Sequence, residues 1–267
     1  MNTWTRYLAA AGVLLTCLTS PAMADFKKGM TAYEAGDYAA ALKMWRPLAE
    51  QGNTDAQYGL GLMYDSGKGV PQDNAEAARW YRKAAEQGLA SAQSNLGVLY
   101  ARGEGVPQDN TEAARWYRRA AEQEYAMAQF NLGVLYEKGH GVTQNYTEAV
   151  FWYRRAAEQG DTDAQLNLGL LYAKGQGVPQ SYGKAVRWYR MAAEQGDADA
   201  QGRLGLLYAN GQGGIPEDLV QAHLWLGLAA AQGDTRSAKE RDRLVKKMTP
   251  AQLAQAQKLA RAWKPKK

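Results

Sequence analysis

The chain has 267 residues, 22% of them charged, with a formal net charge of +5, a single cysteine, and Tyr (16) and Trp (8) far commoner than Phe (3). One thiol excludes a disulfide framework and a multi-cysteine metal site, and so uneven an aromatic usage points to a few positions copied many times. The positive charge is no nucleic-acid-binding stripe: residues 236–267 hold 11 Lys or Arg against 2 acids, which leaves residues 25–235 at net −5.

Residues 1–24, MNTWTRYLAAAGVLLTCLTSPAMA, read as a secretory signal. Arg6 stands near the start, an apolar run follows from Tyr7 to Leu18, and Ala22 and Ala24 make the A-x-A pattern that a signal peptidase accepts. The run is shorter than the roughly 20 residues a membrane-spanning helix needs. Cleavage after Ala24 removes Cys17, so the exported chain, periplasmic or secreted, is expected to hold no thiol. Residues 25–54 read as a shortened N-terminal capping helix pair. Tyr33 runs into a tight turn at Gly36-Asp37-Tyr38, and Pro47 is expected to kink the second helix, since it lacks an N–H and its ring crowds the preceding turn.

From residue 55 to 235 the chain aligns to itself. Trp80, Trp116, Trp152 and Trp188 stand 36 residues apart and Trp225 follows after 37, dividing the segment into repeats 55–90, 91–126, 127–162, 163–198 and 199–235. In the second of these, Ala92, Leu96, Leu99 and Tyr100 fall at i, i+4, i+7 and i+8, which predicts a first helix with one apolar stripe. Gly97 adjoins that stripe. A helical Gly costs about 1 kcal/mol, so its return as Gly61, Gly133, Gly169 and Gly205 implies close approach of a neighbouring backbone. Gly103 and Gly105 end the helix. Behind Val106-Pro107-Gln108, Asp109 and Glu112 fit a capping box, as do Asp73/Glu76, Asn145/Glu148 and Asp218/Gln221.

The second helix carries its stripe on Ala113, Trp116, Tyr117, Ala120 and Ala121 and stops at Gln123. Other copies follow with Gly88, Gly160, Gly196 or Gly233; here Glu124 occupies that place, so the junction is expected to be strained or the helix longer. Arg82/Glu86, Arg118/Glu122, Arg154/Glu158 and Arg190/Glu194 sit at i, i+4 and are read as exposed pairs, each worth roughly 0.3 kcal/mol. One helix pair cannot bury its own Trp and Tyr, so the repeats are expected to stack, with stability set at repeat-to-repeat interfaces. Residues 236–267 read as basic capping helices and a tail. Thr249 N-caps a helix that starts at Pro250, Leu253, Ala256, Leu259, Ala260 and Trp263 share one face, and Lys264-Pro265-Lys266-Lys267 is expected to fray.

The repeated sentence, A-x-x-x-L-G-x-L-Y-x-x-G-x-G-V and then A-x-x-W-Y-x-x-A-A-E-Q-G, resembles the Sel1-like repeat family, relatives of tetratricopeptide repeats with a longer inter-helix loop. The copies over 55–235 carry the match, the last most loosely. The resemblance implies an all-α, right-handed α-α superhelix, a solenoid of about six helix pairs plus C-terminal capping helices. It also implies a binding role, since the family's members serve mostly as adaptors, assembly platforms and regulators of envelope signalling or host contact. A cysteine-rich subgroup associated with penicillin binding and β-lactamase activity carries a Cys pair in each repeat, which this chain lacks.

A search for chemistry finds no catalytic constellation. His140 takes the loop place of Lys68, Glu104 and Gln176 and is read as solvated. His223 lies where other copies have Ala or Val and is read as half-buried; more than two repeats separate the two, too far to share a metal or a triad. Gly61 to Gly69, GLMYDSGKG, lacks the Ser/Thr after the Lys and the leading strand of a phosphate loop. Ser181 and Lys184 form S-x-x-K without S-D-N or K-T-G, at positions that elsewhere hold a helix cap.

What remains is surface. Off the buried stripe of the first helices Asn95, Asn131 and Asn167 recur, and seven residues on, on the same face, stand Arg102, Lys138 and Lys174. Lining the concave side of a solenoid, they make a ladder of amides for peptide backbone and cations for carboxylates; the competing use of the amides is to tie one repeat to the next. Tyr58, Ser94, Phe130, Leu166 and Gly202 share one repeat position yet differ in every copy, and partner specificity can reside there. The sequence therefore reads as an exported, monomeric, non-enzymatic scaffold that binds a protein or peptide partner, with no cofactor, metal or nucleic acid. The alternatives are an envelope hydrolase of the penicillin-binding or β-lactamase type, and a module that touches peptidoglycan or an anionic membrane through the basic tail.

Overall fold

The computed structural model describes residues 21–266; most of the expected signal, Cys17 included, and Lys267 lie outside them. The described residues form fourteen α-helices and no strand, in consecutive antiparallel-type pairs of the kind that build Sel1-like and tetratricopeptide-like solenoids. They fall into two compact units, one ending at Gln87 and one beginning at Gly88.

In the first unit α1 (Pro21–Glu34) packs on α2 (Tyr38–Glu50), α2 on α3 (Thr54–Ser66), and α3 on α4 (Asn74–Glu86). Trp45 is its centre. The indole N–H donates to the carbonyl of Phe26 at 3.2 Å, and the ring stacks near Phe26 and Tyr33. A Cβ on Gly29 or Gly59 would come within 2.4 or 2.8 Å of that ring, so both glycines make room for one side chain. Pro47 does not interrupt α2, which runs on to Glu50; an exposed Pro in the last turn removes one N–H donor without ending the helix.

The second unit holds α5 (Ala90–Arg102), α6 (Asn110–Glu122), α7 (Ala126–Lys138), α8 (Tyr146–Glu158), α9 (Thr162–Lys174), α10 (Tyr182–Glu194), α11 (Ala198–Asn210) and α12 (Leu219–Ala231), then α13 (Thr235–Val245) and α14 (Pro250–Ala262). Each second helix packs on the first helix of its own repeat and on that of the next. First helices α5, α7, α9 and α11 therefore form one layer and α6, α8, α10 and α12 the other. Trp152 shows how repeats join: it is buried among Ala113, Tyr117 and Ala120 of the repeat before it, as well as Leu132 and Leu135 of its own.

Several local expectations change in three dimensions. The recurrent helical glycine faces a ring, not a backbone: a Cβ on Gly97, Gly133 or Gly169 would lie 2.7, 2.6 or 2.6 Å from Tyr117, Tyr153 or Tyr189. The capping boxes form only halfway. Asp73, Asp109 and Asn145 each accept from two N–H groups of the helix they start, but their own N–H already donates to the carbonyl of Tyr64, Tyr100 or Tyr136 at 2.9–3.0 Å. With that donor taken, Glu76 and Glu112 turn outward and pair with Arg79 and Arg115. A complete box forms at Thr249 and Gln252, ahead of α14.

Three of the four expected i, i+4 pairs give way to a contact between repeats. Arg118 donates to the Tyr136 hydroxyl at 2.6 Å, Arg154 to that of Tyr172 at 2.7 Å, and Arg190 to that of Tyr208. Glu194 is instead held by the tail, which is not frayed as far as Lys266: its ammonium lies 2.6 Å from the carboxylate, and its backbone N–H caps the Glu194 carbonyl at 2.7 Å. At the irregular junction α6 keeps its 13 residues. Glu124 adopts φ +64, the one positive φ at a non-glycine among the described residues, and its carboxylate pairs with Arg155. The strain is thus taken by one residue, at roughly 1 kcal/mol.

Candidate interaction face

The first-helix layer of the second unit carries the residues of the ladder. Arg102, Lys138 and Lys174 stand exposed in the last turns of α5, α7 and α9. Arg102 lies 4.0 Å from Glu104, whereas neither lysine is in an ion pair among the described residues. Asn95, Asn131 and Asn167 are half-buried on the same face. Asn167 lies near the hydroxyl of Tyr153, which donates to Glu137 at 2.6 Å. Burial, then Glu137, pushes that phenol well above its usual range, so it stays a neutral donor.

Most amide work between repeats belongs to residues the sequence analysis passed over. Gln129 is fully buried; its side-chain N–H donates to the Ala121 carbonyl at 3.0 Å and its oxygen accepts from Gln159 at 2.8 Å. Gln165 does the same with Ala157 and Gln195, and Gln201 with Ala193 and Gln232. In the first unit Gln57 bonds Ala49 and Gln87. The signal was present as the A-Q and A-x-Q of each copy, two glutamines 30 or 31 residues apart that meet in the fold.

The position that differs in every copy is a packing shelf as much as a surface. Phe130 is half-buried with its ring 5.7 Å from that of Tyr153, Leu166 is half-buried, and Ser94 is wholly buried. Beyond Gly202, where a Cβ would sit 2.8 Å from the Ser237 hydroxyl, there is no free space at all. A second row goes unnoticed in the sequence alone: Val98, Val134, Leu170 and Leu206, half-buried, lie three residues after the Asn position and four before the cation. On α7 Met127 adds an apolar side chain 51% exposed.

The Sel1 repeat family model matches residues 29–53, 54–89, 90–125, 126–161, 162–197 and 198–234. The chain belongs to the Sel1 repeat family. Its windows start one residue before those read from self-alignment and count the N-terminal pair as a repeat. Among solved structures, the Sel1 repeat protein from Oxalobacter formigenes is similar at 38% identity, over 88% of this chain and 96% of that one, with a TM-score of 0.75. A protective antigen present in uropathogenic Escherichia coli strains, displaying an SLR fold, is similar at 32% identity over 88% of this chain and 67% of its own, with a TM-score of 0.51. No curated protein matches. Sel1 repeat proteins are protein-interaction scaffolds, and the solenoid is typically non-enzymatic.

The remaining chemical candidates are accounted for within these Sel1 repeats. Ser181 accepts from the Lys184 backbone N–H at 3.3 Å as the cap of α10. In GLMYDSGKG, Gly61 packs on Tyr81 and Gly67 ends α3 with φ +68. His140 is exposed in its loop. His223 is more buried than expected, at 8% exposure, because α13 and its Arg241 and Asp242 cover the face that a further repeat would cover elsewhere. Among the described residues no group of three or more His, Cys, Asp or Glu is placed to hold a metal ion, and no helix is long and apolar enough to cross a membrane.

Proposed function

We propose that this Sel1 repeat protein is an exported adaptor, working in the periplasm or outside the cell, that holds a protein or peptide partner on the first-helix face of its second unit. One observation carries the reading. Within each repeat the buried frame is copied almost residue for residue, and on three consecutive first helices, α5, α7 and α9, an outward amide, aliphatic and cation recur in the same order although packing does not require them. A frame repeated for packing that also carries a row of unburied groups in register suits a modular binding surface. The role of Ser181 as a helix cap speaks against the hydrolase alternative, and the bond of Lys266 to Glu194 draws the basic tail onto the protein rather than toward a membrane.

The test replaces Asn131 and Lys138 together by Ala and captures partners from envelope extract. The wild-type chain is expected to retain a partner that the double variant loses, with melting temperature nearly unchanged because neither side chain is fully buried. Unchanged capture would rule this face out. Export is checked separately by fractionation and by a mature N-terminus at Asp25.

A further inference from the structure

We infer that the segment held on this face is acidic: a stretch of partner polypeptide that lays apolar side chains on the aliphatic row and directs carboxylates to Arg102, Lys138 and Lys174. The inference rests on the reading above and adds the partner's chemistry. Asn95, Val98 and Arg102 on α5, Asn131, Val134 and Lys138 on α7, and Asn167, Leu170 and Lys174 on α9 each fall at i, i+3 and i+7, on one face of their helix. Three consecutive repeats thus present an amide, an aliphatic and a cation in the same order.

Arg102 has Glu104 at 4.0 Å, but the other two cations are not neutralised by the protein itself. Among the described residues Lys138 and Lys174 make no ion pair, and the nearest acid in sequence to Lys138, Glu137, has its carboxylate bonded to Tyr153. Asp163 sits in the first turn of α9, about 16 Å along the helix from Lys174 at 1.5 Å per residue. Charge is therefore segregated across the face, with cations along the C-terminal edge and Asp163 and Asp199 along the opposite one.

A cation in the last turn also complements the helix dipole, but that does not account for the row. α3 and α11 end on Ser66 and Asn210 at the same position and keep the same left-handed glycine cap at Gly67 and Gly211. The cap does not need a base, and at this last-turn position α5, α7 and α9 carry one while α3 and α11 do not; α11 has its base, Arg203, at the Asn position instead. Met127, exposed where other copies have Asp55, Ser91, Asp163 and Asp199, widens the apolar row at its middle. One cation per repeat beside an aliphatic floor matches a chain that alternates acidic and apolar side chains.

The experiment measures fluorescence anisotropy of the full mature chain with a labelled peptide of alternating Glu and Leu, and with its Lys and Leu counterpart. The acidic peptide is expected to bind, and to weaken with added salt. Lys138→Glu with Lys174→Glu should weaken it by at least about tenfold and raise affinity for the basic peptide, a gain that a misfolded variant cannot show. If the wild type binds both peptides equally, or if charge reversal changes nothing, the acidic assignment falls while a peptide-binding face stands. Sedimentation with phosphatidylglycerol vesicles that the same reversal abolishes, without peptide binding, overturns it in favour of an anionic surface. Should the wild type bind neither peptide and capture no polypeptide from envelope extract, the adaptor reading falls with it.

Discussion

The stack from α5 to α10 and the end from α11 to α14 begin from one sequence pattern and bury it differently. In the stack each helical glycine receives a tyrosine ring from its own second helix, and each second helix is covered by the next copy. At the end Leu226 replaces the tyrosine, so the helices close further: a Cβ on Gly205 would meet the Leu226 side chain at 2.7 Å and its backbone N at 3.0 Å. Gly202 leaves room for Ser237 and Asp234, which begin α13, and His223 stands where the earlier copies have Ala78, Ala114, Val150 and Val186. Where the neighbour is α13 rather than another copy, these buried positions take residues that the stack does not use there.

That contrast breaks most visibly through tryptophan. Trp116 is buried at 8% exposure with Arg119 stacked over it, so Trp116→Ala should cost about 3–5 kcal/mol, a fall in melting temperature of roughly 10 °C. Trp263 at the end is half-buried, and Trp263→Ala should cost only about 1 kcal/mol. Equal shifts would mean the two regions are packed alike.

Alkaline pH should separate the regions next. Burial pushes the Tyr189 phenol up to about 12, with Arg203 opposing, against an ordinary value of about 10; Tyr117 and Tyr153 move the same way. Above pH ~10 the unfolded chain loses protons that the folded chain keeps, so stability is full below that pH and falls through the interval up to about 12. Tyr189→Phe should flatten the fall in melting temperature, whereas Leu226, at the matching place in the end region, contributes none. The smallest effect is on the acid side. Burial, then Arg241, lowers the His223 pKa, with Asp242 opposing. As pH drops through about 6.5 the unfolded state takes up a proton first, and stability declines. His223→Ala, restoring the residue of Ala78 and Ala114, should remove that acid decline; a pH profile identical to wild type would show that His223 is not buried neutral.

Helix positions, the stacking of repeats and the burial of each Trp and Tyr were legible because they depend on short-range signals repeated five times. Gly103 or Asp109 does the same local task wherever the chain lies. The partners of polar side chains were not legible. Spacing along one helix put Arg118 beside Glu122, but the next repeat offers the Tyr136 hydroxyl in a less solvated place. Gln129 and Gln159 read as ordinary polar residues until the stack brings them together. In the candidate face, the Asn and cation rows could be read from a period of 36, while the aliphatic row between them could not. Val98 and Leu170 look like core residues, and only packing leaves them half exposed.

The sequence by itself determined what lies inside, since apolar periodicity, capping residues and obligatory glycines act within a turn or two of helix. Tertiary structure alone decided which polar groups are spoken for: Tyr153 by Glu137, Glu194 by Lys266, Glu124 by Arg155, and Lys138 and Lys174 by no acid among the described residues. The physical reason is reach. A side chain chooses its partner from everything within a few ångströms, and in a stack of helix pairs most of those neighbours are 16 to 36 residues away along the chain.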